Sequence, residues 1–325
     1  MNGTITGWSL FSASQQHYLT TARPFYYIGS TSILDWMADN YLSLASPIIA
    51  YWTASLFFHL LDISDARWLD KYRIHDSAEV KSRNLASRWD VFIAVIFQHF
   101  VQTLVGLWWM EDKPVGDAVD HLSALAGRAP TFLNLLRAVA GPKLAAQFWA
   151  DHGHELVYAV YWWAIPAAKF LLGMFIIDTW EYFLHRAMHN NTYLYKTFHS
   201  VHHRLYVPYA FGALYNHPLE GFLLDSVGAG LAETIAQMST REATLLFVIS
   251  TLKTVDDHCG YSFPWDPLQM MSSNNADYHD IHHQIIGIKS NFAQPFFIHW
   301  DVLLGTRMTR QDIEVRRRKN TQKTE

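Results

Sequence analysis

Thiols and charge are both scarce in this chain. Cys259 is the only cysteine among 325 residues, which excludes an intrachain disulfide and any zinc site built on thiolates. Asp, Glu, Lys and Arg make up 17% of the residues, against about 25% in an average soluble protein. The net charge of -4 leaves no electrostatic footprint for a nucleic acid, and none is expected as a partner. The opening "MNGTITGWSLFSASQQHYLTTARPF" lacks the basic start and apolar core of a cleavable signal peptide, so the first apolar span is expected to act as the insertion signal. No internal repeat or low-complexity tract marks a second domain.

What fills the space left by charge is apolar and aromatic: 50% hydrophobic residues, with 13 Trp, 16 Tyr and 20 Phe. Residues 43–61 and 91–110 contain no Asp, Glu, Lys or Arg, and 156–177 contain only Lys169. About 20 such residues in a helix cross a hydrocarbon layer of about 30 Å. Three runs of this length, with Trp and Tyr near their ends, predict an all-α integral membrane protein with about three full transmembrane helices. Residues 210–255 hold two shorter apolar stretches separated by "STRE", which predict a helical hairpin. The 62–90 loop carries Arg67, Lys71, Arg73, Lys81, Arg83 and Arg88, whereas the longer 111–155 segment carries only four basic residues. The positive-inside bias therefore puts 62–90 in the cytosol and 111–155 on the far side. The chain divides into an N-terminal segment, 1–42, then 43–155 with two spans and the far-side segment, 156–307, and a basic cytosolic tail, 308–325.

Histidine is plentiful, with 18 in all, and eight fall in three patterned clusters: His185-x3-His189, His199-x2-His202-His203 and His279-x2-His282-His283. Residues i, i+3 and i+4 share a helix face, so each cluster can aim two or three imidazoles at one point. Imidazole nitrogens suit iron, zinc, copper or nickel, and eight exceed what one ion holds, which predicts a cytosol-facing dimetal site. Asp178, Glu181 and Asp280 lie beside these clusters, as carboxylates that fix a ligand ring by accepting its second N–H commonly do. His59, His75 and His99 have no metal-site spacing and are expected in the core or an interface. His152 and His154 are expected on the far side.

The order HxxxH, HxxHH, HxxHH resembles the membrane fatty acid hydroxylase and sterol desaturase superfamily. The texts "HSVHHRLYVPYAFGALYNHPLEGFLLD", "KTVDDHCGY", "NADYHDIHHQIIGIKSNFAQPFF" and "WDVLLGT" narrow the resemblance to sphingolipid C4-hydroxylases, over residues 45–307. It implies that 156–307 form a fatty acid hydroxylase-type catalytic domain in a multi-pass endoplasmic-reticulum enzyme. That enzyme hydroxylates C4 of a sphingoid base, as sphinganine or dihydroceramide. It further implies two Fe ions, O2, and electrons from NADPH through cytochrome b5 and its reductase; the chain has no Gly-rich dinucleotide fingerprint of its own. Zinc in purified material fits a His-only ligand set equally well. The superfamily often supplies an additional ligand where His258 stands. His217 is a further candidate ligand, hydrogen bonding to a ligand ring being its alternative role. Tyr206, Tyr209, Phe211 and Tyr215 are candidate pocket residues, with ordinary aromatic packing as the alternative. The lipid substrate comes from the membrane, and association with other sphingolipid enzymes or with a second copy is open. Rival readings are sterol C4-methyl oxidation, sterol C5 desaturation, fatty acid 2-hydroxylation, and a non-catalytic membrane metal-binding protein. Transport fits least, because only Lys169 interrupts the three spans.

Overall fold

The computed structural model describes residues 7–64, 66–111 and 113–324, with side chains up to 318; the first six residues and residues 65, 112 and 325 lie outside it. The described chain is helical, and its only β contacts are two isolated bridges, Leu34–Met37 and Arg73–Tyr261. The longer helices are α1 (Ala13–Thr21), α2 (Asp39–Ile63), α3 (Arg88–Trp109), α4 (His121–Ala140), α5 (Pro142–Ala159), α6 (Ile165–Asn190), α7 (Thr240–Asp257), α8 (Ala276–His283) and α9 (Arg310–Thr324). They form two compact units. One holds Met1–Asp39, Asp112–Leu171 and Ser239–Glu242; the other holds Asn40–Glu111, Leu172–Met238 and Ala243–Glu325.

Three helical runs are long and apolar enough to cross a membrane: α2, α3 and the continuous stretch Pro142–Asn190. Predicted spans 43–61 and 156–177 fall inside two of them, and 91–110 overruns the end of α3 by one residue. Only 17–22% of the apolar window in each is buried by protein, so lipid rather than a core must solvate the rest, including Ile49, Leu60, Phe100 and Trp108. The third run extends well past its predicted end at 177 and carries the first histidine pair within its own last turns. A π turn at Val160–Ala164 precedes Pro166 in this run. Proline removes the N–H that would bond the carbonyl four residues back, and the Trp162 carbonyl instead accepts the Tyr26 hydroxyl.

In the first unit α4 and α5 meet at Gly141, whose φ of +80° is open to glycine at little cost. Their apolar faces enclose Leu125, Leu133, Trp149 and Val157, together with Phe11 and Leu19. In the second unit the main core joins Tyr51, Phe58, Val91 and Val95 of the spans to Leu205, Tyr209, Tyr215, Val255 and Tyr261. The basic loop after α2 is tied to this core by Ile74 N–H donating to Gly260 O (2.9 Å) and Ser262 N–H to Tyr72 O (2.8 Å). After a short turn of helix at Ala210–Leu214, residues 218–235 run as one helix, and a turn through Gln237 (φ 52°) leads into α7, two helices in the stretch 210–255 where a helical hairpin is expected.

After α8 the chain reverses through Gly287, where a Cβ would stand 1.9 Å from the Ile281 carbonyl oxygen. Gly287→Ala is expected to cost about 2 kcal/mol or more, because backbone cannot yield as a side chain can. At Gly127, inside α4, nothing lies within 4 Å of an added Cβ, and Gly127→Ala is expected to stabilise by up to about 1 kcal/mol. Thermal unfolding in detergent micelles distinguishes the two.

Candidate metal centre

The three histidine clusters converge in the second unit, together with His258, and they sort into two groups. His185, His189, His199, His203 and His282 form one; His202, His258, His279 and His283 form the other. Within each group the ligand nitrogens all lie within 4.8 Å of one another. Helix geometry explains the sorting: residues i and i+4 lie about 40° apart around the axis, whereas neighbours lie about 100° apart. His199, at the end of a π turn, and His203, in a 3-10 turn, face one group while His202 faces the other. In α8, His279 and His283 face the second group while His282 faces the first. α6 completes the first group with His185 and His189, and the end of α7 completes the second with His258.

Each set is dense. In the first, Nε2 of His185 is 3.0 Å from that of His199 and 3.1 Å from that of His189, while Nε2 of His203 is 3.1 Å from His199 and 3.2 Å from His189. In the second, His279 Nε2 lies 2.9 Å from His258 Nε2 and 3.0 Å from His283 Nε2, with His258 and His202 at 3.5 Å. The opposite ring nitrogens are tied to backbone. Nδ1–H of His185 donates to Phe292 O (2.8 Å), of His202 to Tyr215 O (3.2 Å), of His258 to Thr254 O (2.8 Å), of His282 to Ser290 O (2.7 Å) and of His283 to Leu205 O (2.8 Å).

These contacts set the protonation. A carbonyl oxygen only accepts, so each of these Nδ1 atoms keeps its hydrogen and each Nε2 of a neutral ring is a bare lone pair. Burial, with the neighbouring rings, pushes the His202 ring down to about 4 and His258 down to about 3. The same causes hold His199, His203, His279, His282 and His283 well below the ordinary value. Where such rings leave Nε2 without a hydrogen, lone pairs facing one another near 3 Å repel, and a cation at the centre of each group removes the repulsion. The donor set thus fits one soft-to-borderline metal ion per group.

The carboxylates expected to hold ligand rings do other work. Asp178 accepts from the backbone N–H groups of Phe296 (2.9 Å) and Phe297 (2.7 Å), pinning the segment after the third cluster to α6. Asp280 points away from the rings, where His75 Nε2 (2.7 Å), Gln284 (3.2 Å) and Arg310 reach it. Glu181 is half-buried and makes no hydrogen bond to a clustered ring among the described residues. The carboxylate that does meet a ring is Glu220, 1% exposed and bonded to His199 Nδ1. Asp301, fully buried, accepts from Phe292 N–H (3.1 Å), Ala293 N–H (2.7 Å) and the Tyr278 hydroxyl. It steadies Phe292, whose ring lies 5.4–5.9 Å from those of His185, His189 and His282.

His217 belongs to neither group. It is half-buried, its Nδ1 accepts from Leu219 N–H (3.2 Å) and its ring meets Phe198 edge-on. Tyr209 and Tyr215 are buried in the main core and Phe211 packs against it, while Tyr206 is half-buried. His59 touches Arg88 and Phe211, and His99 is buried beside Tyr51. His152 pairs with Glu155 at the surface of the first unit, and His154 meets Tyr18.

A helical membrane chain with two sets of converging imidazoles has the makings of a membrane hydroxylase, and the family model for fatty acid hydroxylase matches residues 170–306. The chain is 48% identical over 275 residues to Sphingolipid C4-hydroxylase SUR2 of Saccharomyces cerevisiae, covering 85% of this chain and 74% of the relative. It is 39% identical to Sphinganine C4-monooxygenase 1 of Arabidopsis thaliana, covering 84% and 89%. It therefore belongs to the sphingolipid C4-hydroxylase family. Very-long-chain aldehyde decarbonylase GL1-9 of Oryza sativa subsp. indica is 37% identical, covering 84% and 90%. No solved structure matches the chain.

His75 shows how the outer face of α8 responds to pH. Its hydrogen bond to Asp280 raises its pKa above 6.5, against the opposing effect of burial, with Glu79 adding to the rise. The stabilisation is complete below the unfolded value and is lost as pH rises through the higher folded value. The thermal midpoint of the wild type should therefore exceed that of His75→Gln by more at pH 6 than at pH 9. A gap independent of pH contradicts this linkage.

Proposed function

We propose that the protein is a membrane monooxygenase that hydroxylates C4 of a sphingoid base, converting sphinganine or dihydroceramide to the 4-hydroxy product. The observation that carries this reading is the pair of buried imidazole groups in a chain of the sphingolipid C4-hydroxylase family. His185, His189, His199, His203 and His282 hold one iron and His202, His258, His279 and His283 the other. When bound, the metal pair supplies the O2 chemistry that an unactivated methylene requires and that no side chain provides.

The chain's own residues supply position and environment. The carbonyls of Phe292, Tyr215, Thr254, Ser290 and Leu205 fix five rings with Nε2 inward, and so hold the donor set before any metal arrives. Phe292 covers one side of the five-ring group with an apolar face and keeps water from it. The lipid enters from the membrane between the spans, with Tyr206 and Phe211 at the edge of its path. Electrons come from NADPH through cytochrome b5 and its reductase. The site faces the cytosol from the membrane of the endoplasmic reticulum, on the side of the basic 62–90 loop.

Cells that express the protein and otherwise lack the activity should accumulate 4-hydroxysphinganine. Altered sterols or alkanes derived from long aldehydes, with no 4-hydroxysphinganine, contradict the proposal. His202→Ala and His203→Ala should each cut product at least 100-fold while the protein stays in the membrane, and each should lower bound metal from about two ions per chain to about one, since the neighbouring rings serve different groups.

A further inference from the structure

Eight of the nine clustered rings have no charged side chain bonded to Nδ1 among the described residues, and five of those are held by backbone carbonyls. His199 is the ninth, with Glu220 on its Nδ1. Several independent contacts fix Glu220 in place. It lies in the short helix Pro218–Gly221, which is capped by His217 through Leu219 N–H (3.2 Å). Gly221 packs so tightly on α3 that an added Cβ would stand 2.2 Å from Gln98 Nε2. Gln98 and Gln102 of α3 in turn reach Asp225 at 3.3 and 3.2 Å. The second carboxylate oxygen of Glu220 is buried with no partner among the described residues. A buried carboxyl half-satisfied in this way stays ionised only with a positive charge nearby, and is neutral without one.

We propose that Glu220 is a positioning residue that acts through His199 to make the two metal positions unequal, the five-ring position being bound more tightly because one of its rings is backed by a carboxylate. A carboxylate on Nδ1–H draws the proton toward itself and leaves Nε2 a stronger donor to a cation. Rings backed by backbone carbonyls gain less, because the carbonyl is neutral. The four-ring group has no such partner: His279 Nδ1 faces only the Gln294 amide at 3.3 Å. His217 thereby has a place as well, as the cap of the turn that carries Glu220. The inference rests on the reading of the two groups as metal positions, and its test is independent of any substrate.

The full-length metal-loaded protein in detergent is equilibrated with graded chelator, and the metal retained per chain is counted. The wild type should release its metal in two steps, and His202→Ala, which lacks one ring of the four-ring group, should identify the step that belongs to the five-ring group. Glu220→Gln keeps the shape and removes the charge. It should move that step alone to 10–100-fold lower chelator, the scale of a lost partner to a ligand ring. His199→Ala should lose the five-ring step altogether, and adding Glu220→Gln to it should leave the remaining four-ring step within twofold of its place, since the carboxylate then has no ring to act through. The proposal is overturned if Glu220→Gln leaves both steps in place, moves both equally, or shifts the four-ring step when His199 is absent. Chains that release metal as expected but form no 4-hydroxysphinganine would fault the functional reading and leave this one standing.

Discussion

Imidazole lone pairs that meet in a dry interior are the constraint on which the rest of the catalytic unit depends. Seven of the nine rings hold Nε2 within 2.9–3.2 Å of a neighbour's, a crowding of lone pairs that positive charge among them relieves, and protonation cannot supply it where burial holds the rings neutral. The fold must therefore hold the rings against their own repulsion until a metal arrives. It does so from behind, through Nδ1–H bonds to carbonyls that belong to distant parts of the chain.

Those carbonyls need holding too, and this accounts for much of the polar burial around the site. Asp301 and Asp178 clamp the segment 292–297 at its two ends, so that Phe292 presents both its carbonyl to His185 and its ring to the five-ring group. Asn291 bonds the carbonyls of Tyr278 and Met308, both at 3.0 Å. Lys253, itself buried, spans Asp257 and the Asn274 carbonyl beside His258. A buried ion pair contributes little net stability once desolvation is counted, but it sets the register of α7 against the loop before α8. Outside α8, Arg310 and His75 close on Asp280, which ties the third cluster to the tail and to the first loop.

Much of this was legible in the sequence. Spans could be read from uninterrupted apolar runs because lipid tolerates little else, and the clusters from spacing because i, i+3 and i+4 share a helix face. The same rule, taken one step further, separates His202 from His203 and His282 from His283. The roles of Asp178 and Asp280 were not legible, since adjacency along a helix does not say whether a carboxylate meets a ring or a distant amide. Glu220 lies 21 residues after His199; its one signal was an acid set in the otherwise apolar "HPLEGFLL". Backbone carbonyl partners leave no mark on residue type at all. His217, Tyr209 and Tyr215 stood near the clusters in sequence, yet the first caps a turn and the other two fill the core.

The claim that two separate ring groups each hold one ion is tested most directly by anomalous diffraction at the iron edge from crystals of protein purified with its native metal. The account predicts two peaks, one enclosed by His185, His189, His199, His203 and His282, the other by His202, His258, His279 and His283. A single peak shared by all nine rings, or density outside both groups, would contradict it.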